Sequence, residues 1–167
     1  MGQFLKVILF TAVTIGFFSG FSYFGIPQIK PAPPPKEEKL DLSEMTMEGF
    51  VALGKRLVEG RGTCTLCHNA VGGRAPLLDQ VAAVAEKRLA EDKYEGSAED
   101  VAAYLRESMV EPSAYVVAGF GKAGTSDTES PMPDVSSGGI ALSEAEITAI
   151  VAYLQDLAGL EITVAIP

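Results

Sequence analysis

The chain has 167 residues with 13 Lys/Arg against 22 Asp/Glu, a formal net charge of −9, two cysteines and one histidine. The length suits one domain plus an appendage. Residues 46–167 hold nine Lys/Arg and eighteen Asp/Glu and so carry the whole deficit; this surface repels phosphate backbones, argues against nucleic acid as a partner and suits a partner with a basic docking face. The same acidity also serves solubility.

No charged residue lies between Lys6 and Lys30, and the apolar run from Val7 to Phe24 continues to Ile26. At about 1.5 Å per residue it is long enough to cross a bilayer core of roughly 30 Å. Tyr23 and Phe24 suit the membrane interface. The run exceeds the usual signal-peptide core, and no A-x-A site follows, although Gly20-Phe21-Ser22 is a small-x-small triplet. We therefore expect residues 1–26 to be an uncleaved transmembrane anchor. Ala12, Gly16 and Gly20 recur at four-residue spacing, a stripe at which another membrane helix can approach closely. Lys6 stands alone before the run and Lys30, Lys36 and Lys39 follow it, so a bare positive-inside count puts the C-terminal domain in the cytoplasm. The motif at Cys64–His68, taken up below, belongs with the outer side of the membrane and outweighs a bias of two charges.

Residues 27–45 read as a linker. Pro27, Pro31, Pro33, Pro34 and Pro35 favour polyproline II, which at about 3.1 Å per residue spans up to roughly 60 Å. Thr46 is a candidate N-cap for a first helix running to about Glu59, with Phe50, Leu53, Leu57 and Val58 on its buried face. Gly60 and Gly62 end it.

Cys64-Thr65-Leu66-Cys67-His68 follows. The pattern C-x-x-C-H is that of c-type haem attachment: two thiols form thioethers to the haem vinyl groups, and the adjacent imidazole reaches the iron from the same side. A structural zinc site takes four Cys/His ligands and only three exist here. A redox C-x-x-C needs a βαβ setting that the flanks lack. A plain disulfide leaves His68 without a role. Since His68 is the only histidine, a second imidazole ligand is excluded.

Beyond the motif, a short helix is expected near Gln80–Ala90. Ser97-Ala98-Glu99-Asp100 reads as a capping box opening a helix to about Val110, stopped by Pro112. Residues 117–140 have little periodicity and are rich in Gly, Ser and Pro, and a loop this long is usually functional. Ser143-Glu144-Ala145-Glu146 is a second capping box, opening a helix from Glu144 to about Leu157 with Ile147, Ile150, Val151 and Leu154 inward. Gly159 suits C′. The tail Glu161–Pro167 alternates weakly and is expected to be an extended strand.

From Thr46 onward the chain resembles class I cytochromes c. Gly54-Lys55-Arg56-Leu57 is similar to that family's glycine-containing first helix, and Ile150 and Tyr153 to its crossing partners on the last helix. Pro76 resembles the proline whose carbonyl accepts a hydrogen bond from the ligand histidine, and Met132, before Pro133, resembles the axial methionine. Tyr104 to Ser108, Pro112, Tyr115 to Val117 and Gly119-Phe120 look like the haem-c domains attached to respiratory membrane complexes. The loop between Phe120 and Met132 is longer than in the family. The resemblance implies an all-α class I cytochrome c-like domain over 46–167, wrapped around one covalent haem c and preceded by the single transmembrane helix.

Among the five methionines, Met1 lies at the membrane, Met45 and Met47 at or before the start of the first helix, and Met109 late in a helix where methionine is commonly core filler. Met132 sits between two prolines that restrict the backbone presenting its sulfur. Met132 is the preferred sixth ligand and Met109 the alternative; an open sixth position would instead give a ligand-binding haem. His/Met ligation raises the potential. The apolar residues Leu77, Leu78, Phe120 and Val101 are expected around the haem. The reading is an electron carrier rather than an enzyme, with no small-molecule substrate. It acts at the outer face of a bacterial cytoplasmic membrane, as a subunit of a respiratory or photosynthetic complex or as a tethered shuttle. Peroxidase-like catalysis lacks a distal histidine, and no signalling domain supports a sensor.

Overall fold

A computed structural model describes residues 2–26 and 41–167, which fall in two compact units. The Pro-rich stretch from Pro27 to Lys39 lies outside the described residues. Every described element is helical: α1 (Gln3–Gly20), α2 (Met47–Glu59), α3 (Leu78–Val81), α4 (Ala85–Leu89), α5 (Val101–Val110) and α6 (Glu144–Leu157).

The first unit is α1 and its continuation as a π-turn over Phe21–Gly25. The 23 residues Gln3–Gly25 are long and apolar enough to cross a membrane, a length and composition shared by spans and by secretory signals. None of its side chains is buried, and Phe4, Phe10, Phe17, Phe18 and Phe24 are exposed. The Thr14 hydroxyl donates to the Phe10 carbonyl at 2.9 Å, which satisfies the polar group without solvent.

The second unit is built on the crossing of α2 and α6, its most extensive helix contact. Thr46 caps α2, its hydroxyl accepting from the Gly49 N–H at 3.2 Å. Phe50, Leu53, Leu57 and Val58 are buried as the helical spacing requires. Gly54 lets the helices touch: a methyl there would lie 2.8 Å from Tyr153 Cβ and closer still to the Ala149 carbonyl. Tyr153 meets Gly54 at the crossing, as expected, together with Ala149, and Ile150 is buried on the same helix. The capping box on α6 is complete, with the Ser143 hydroxyl accepting from the Glu146 N–H and the Glu146 carboxylate accepting from the Ser143 N–H. The helix ends in a Schellman motif: the Gly159 N–H donates to Asp156 O and the Leu160 N–H to Gln155 O, both at 2.9 Å, with Gly159 at φ 69°.

Three expectations change. Asp100, not Ser97, caps α5, its carboxylate accepting from the Ala103 N–H at 2.8 Å; the Ser97 hydroxyl is instead held by Glu107 at 3.0 Å. The helix expected near Gln80–Ala90 is two short ones, α3 and α4, broken at residues 82–84. This break leaves Val81, Ala82 and Ala85 buried while Val84 faces a cavity. The tail forms no strand. Its alternation was nonetheless meaningful, because Ile162, Val164 and Ile166 pack against the core. Gln155, only 1% exposed, holds the Thr163 N–H and hydroxyl at 3.2 and 2.9 Å. Leu42 and Met45, placed in the linker by composition, also pack on the core.

Candidate functional site

The loop after α2 turns tightly. The Gly62 N–H returns to Leu57 O at 2.8 Å and Thr63 adopts φ 54°. Cys64–Leu66 then form a single 3₁₀ turn, and the Cys67 and His68 N–H groups both donate to Cys64 O, at 3.2 and 2.9 Å. One turn of chain therefore gathers both thiols and the imidazole. The thiols are free; Cys64 is half-buried and Cys67 exposed, and burial pushes the Cys64 thiol up. Asn69 fastens the next turn. Its Nδ2 donates to Thr65 O and Leu66 O at 2.9 and 3.2 Å, and its Oδ1 accepts from the Val71 and Gly72 N–H groups, each at 3.0 Å. The motif alone gave no sign of this role.

His68 Nδ1 lies 2.6 Å from the Pro76 carbonyl, as the resemblance implied. Since a carbonyl only accepts, Nδ1 carries the proton. Pro76 also lines a cavity of about 420 Å³ with Leu77, Gln80, Val84, Arg88 and Phe120 among its walls, a size suited to a cofactor. Of the expected apolar shell, Leu77 and Phe120 line this cavity, whereas Leu78 and Val101 pack against the core. Val84, Gln80 and Arg88 escaped the sequence reading.

Met132 comes from the long loop. It is half-buried against the core, and its N–H donates to Ser130 Oγ at 3.1 Å. The loop is tied to α5 where the Val135 N–H donates to Met109 O at 3.0 Å. Met109 itself is 5% exposed, inside the core. Thus Cys64, Cys67, His68 and Pro76 are joined by short-range bonds, while Met132 reaches the domain from a separate segment.

A polar aromatic cluster backs the cavity. Arg88 Nη1 donates to the Tyr104 hydroxyl at 3.3 Å, and the Tyr94, Tyr104 and Tyr115 rings lie 5.8–6.3 Å apart between centroids. Buried Glu107 accepts from the Tyr94 hydroxyl and from the Ser97 N–H and hydroxyl. Burial is the largest influence on Glu107 and pushes its carboxyl up, but these hydrogen bonds together outweigh it and its pKa falls. Burial and then the Glu107 carboxylate push Tyr94 up to about 12. Tyr115 also rises, through burial and its bond to Glu91.

The sequence model of the cytochrome c family matches residues 51–158. The chain belongs to the cytochrome c family. No curated protein and no solved structure matched it. The matched span opens in α2, contains the C-x-x-C-H turn and closes after α6. Cytochromes c bind haem c covalently through such a turn and transfer electrons with redox partners. The donor set fits that group: two unpaired thiols and an imidazole of fixed tautomer stand on one turn; of the predicted site residues only Pro76 lines the cavity, whose walls also carry the polar side chains of Asn69, Gln80 and Arg88.

Proposed function

We propose that this cytochrome carries one haem c on Cys64 and Cys67, with His68 and Met132 as its axial ligands, and relays single electrons at the outer face of a bacterial cytoplasmic membrane. The hydrogen bond between His68 Nδ1 and Pro76 O carries the reading. A proton held on Nδ1 leaves the lone pair on Nε2 for a metal, and the same bond orients the ring. When bound, haem supplies an iron couple that gains and loses one electron.

The chain's residues set how that couple behaves. Met132 is supported as the sixth ligand because it is half-buried on a tethered loop between two prolines, whereas Met109 is consumed by the core. A thioether ligand favours ferrous iron and raises the potential. Leu77, Val84 and Phe120 give the cavity an apolar lining, which pushes the same way. Arg88 is the one charged residue lining the cavity among the described residues, and its fork of donors suits a haem carboxylate. With His68 and Met132 both holding the iron, substrate would have no place on it, which favours transfer over catalysis.

An uncleaved anchor over residues 1–26 and the Pro-rich linker tether the domain. The unburied apolar length of α1 supports this, and covalent haem attachment supports the outer face. The small-residue stripe favours a fixed subunit of a respiratory or photosynthetic complex, and the acidic domain favours a basic partner face. Carbon monoxide binding to the reduced protein tests the closed iron: slow, weak binding is expected, and tight, rapid binding overturns the proposal. Extraction in mild detergent tests the assembly: a stoichiometric membrane partner should co-purify.

A further inference from the structure

The segment from Gly119 to Met132 contains no helix, and ordering so long a loop costs conformational entropy. Its internal wiring converges on one carboxylate. Asp127 Oδ2 accepts from the Gly119 N–H at 2.8 Å and Oδ1 from the Gly121 N–H at 2.9 Å. Ser126 and Asp127 both have positive φ, 52° and 60°, a conformation that is costly for residues other than glycine and persists where surrounding bonds demand it. Gly121 is fitted to the same clamp, because a Cβ there would lie 2.6 Å from Asp127 Cα. The returning strand of chain is joined by the Lys122 N–H donating to Glu129 O at 2.8 Å. The Ser130 N–H then donates to Ser113 Oγ at 3.1 Å, and Ser130 Oγ receives the Met132 N–H. Phe120, between the two amides that Asp127 binds, lines the cavity.

We propose that Asp127 is a positioning residue: its double bond to Gly119 and Gly121 holds Phe120 at the cavity wall and fixes the loop in the register that presents Met132 to iron. The inference rests on Met132 as the sixth ligand. Loosening the loop raises the fraction of protein in which Met132 is off the iron, and an added ligand then binds more tightly in proportion to that fraction.

The test is the apparent affinity of the ferric, full-length protein for imidazole, read together with the Met–Fe(III) absorption band. Asp127→Ala should bind imidazole on the order of tenfold more tightly, the scale set by losing hydrogen bonds to a charged group. Gly121→Ala should shift affinity in the same direction, and the double variant should add little to Asp127→Ala because both break one clamp. Lys122→Ala, which removes only an exposed ion pair with Glu129, should leave the affinity unchanged. Wild-type affinity in Asp127→Ala, with the band lost in Met132→Ala, overturns this inference and leaves the ligand assignment standing. Survival of the band in Met132→Ala overturns both. If Asp127→Ala does not accumulate, Asp127→Asn decides: a tighter imidazole complex supports the clamp, and an unchanged one rejects it.

Discussion

In the proposed ligation His68 needs only one partner to orient its ring, and the Pro76 carbonyl at 2.6 Å is that partner. Both thiols of the same turn are free to react, so replacing Cys64 and Cys67 together by Ala should leave a protein with no haem staining in a denaturing gel. The proposed chemistry is written in five consecutive residues because attachment demands their local spacing. Arg88 and Glu107 were not legible, since each gains its role from where the chain returns; Asn69 bonds only within four residues, but an asparagine after the motif has no distinctive pattern. Glu107 and Tyr94 also give the domain a pH dependence at both ends. Glu107 titrates below its ordinary value of 4.5 in the fold, so the stability it contributes is complete above that value and is lost as pH falls through the lowered pKa. Tyr94 rises from 10.0 to about 12, so its contribution is complete below pH 10 and is lost as pH climbs towards 12. Tyr94→Phe should flatten the alkaline fall in denaturant midpoint between pH 10 and 12 relative to wild type. An equally steep fall in the variant would assign it to other groups.

Among the elements, the α2–α6 crossing has the least slack. Any side chain at Gly54 meets the Ala149 backbone and Tyr153 Cβ, so Gly54→Ala should destabilise the domain by at least about 2 kcal/mol in denaturant unfolding. Helix starts set by a side chain and its own backbone were legible: Thr46 and Ser143 both cap as their patterns indicate. Ser97 failed as a cap because Glu107, ten residues later, captures it. The capping-box pattern pointed to Ser97, and this tertiary contact leaves the cap to Asp100. The tail's period of two reported an inward face correctly, but a strand needs a partner and this segment docks through Gln155 instead. The Asp127 clamp was hidden for a related reason, since backbone amides that bind a carboxylate leave no periodic trace.

At the scale of the whole molecule, an apolar helix and an acidic haem domain have separate tasks. A chain truncated to residues 41–167 and exported behind a cleavable leader should still acquire covalent haem, and should move from the membrane to the soluble fraction on centrifugation. A truncated protein that keeps sedimenting with membranes would place the attachment in the domain itself. The central claim is that the iron is closed by His68 and Met132 and so carries electrons. The Met–Fe(III) absorption band, measured in purified Met132→Ala and Met109→Ala proteins, tests it most directly. The account predicts that the band disappears and the potential falls in Met132→Ala, while Met109→Ala keeps the band at some cost in stability. A band that survives in Met132→Ala and vanishes in Met109→Ala would contradict it.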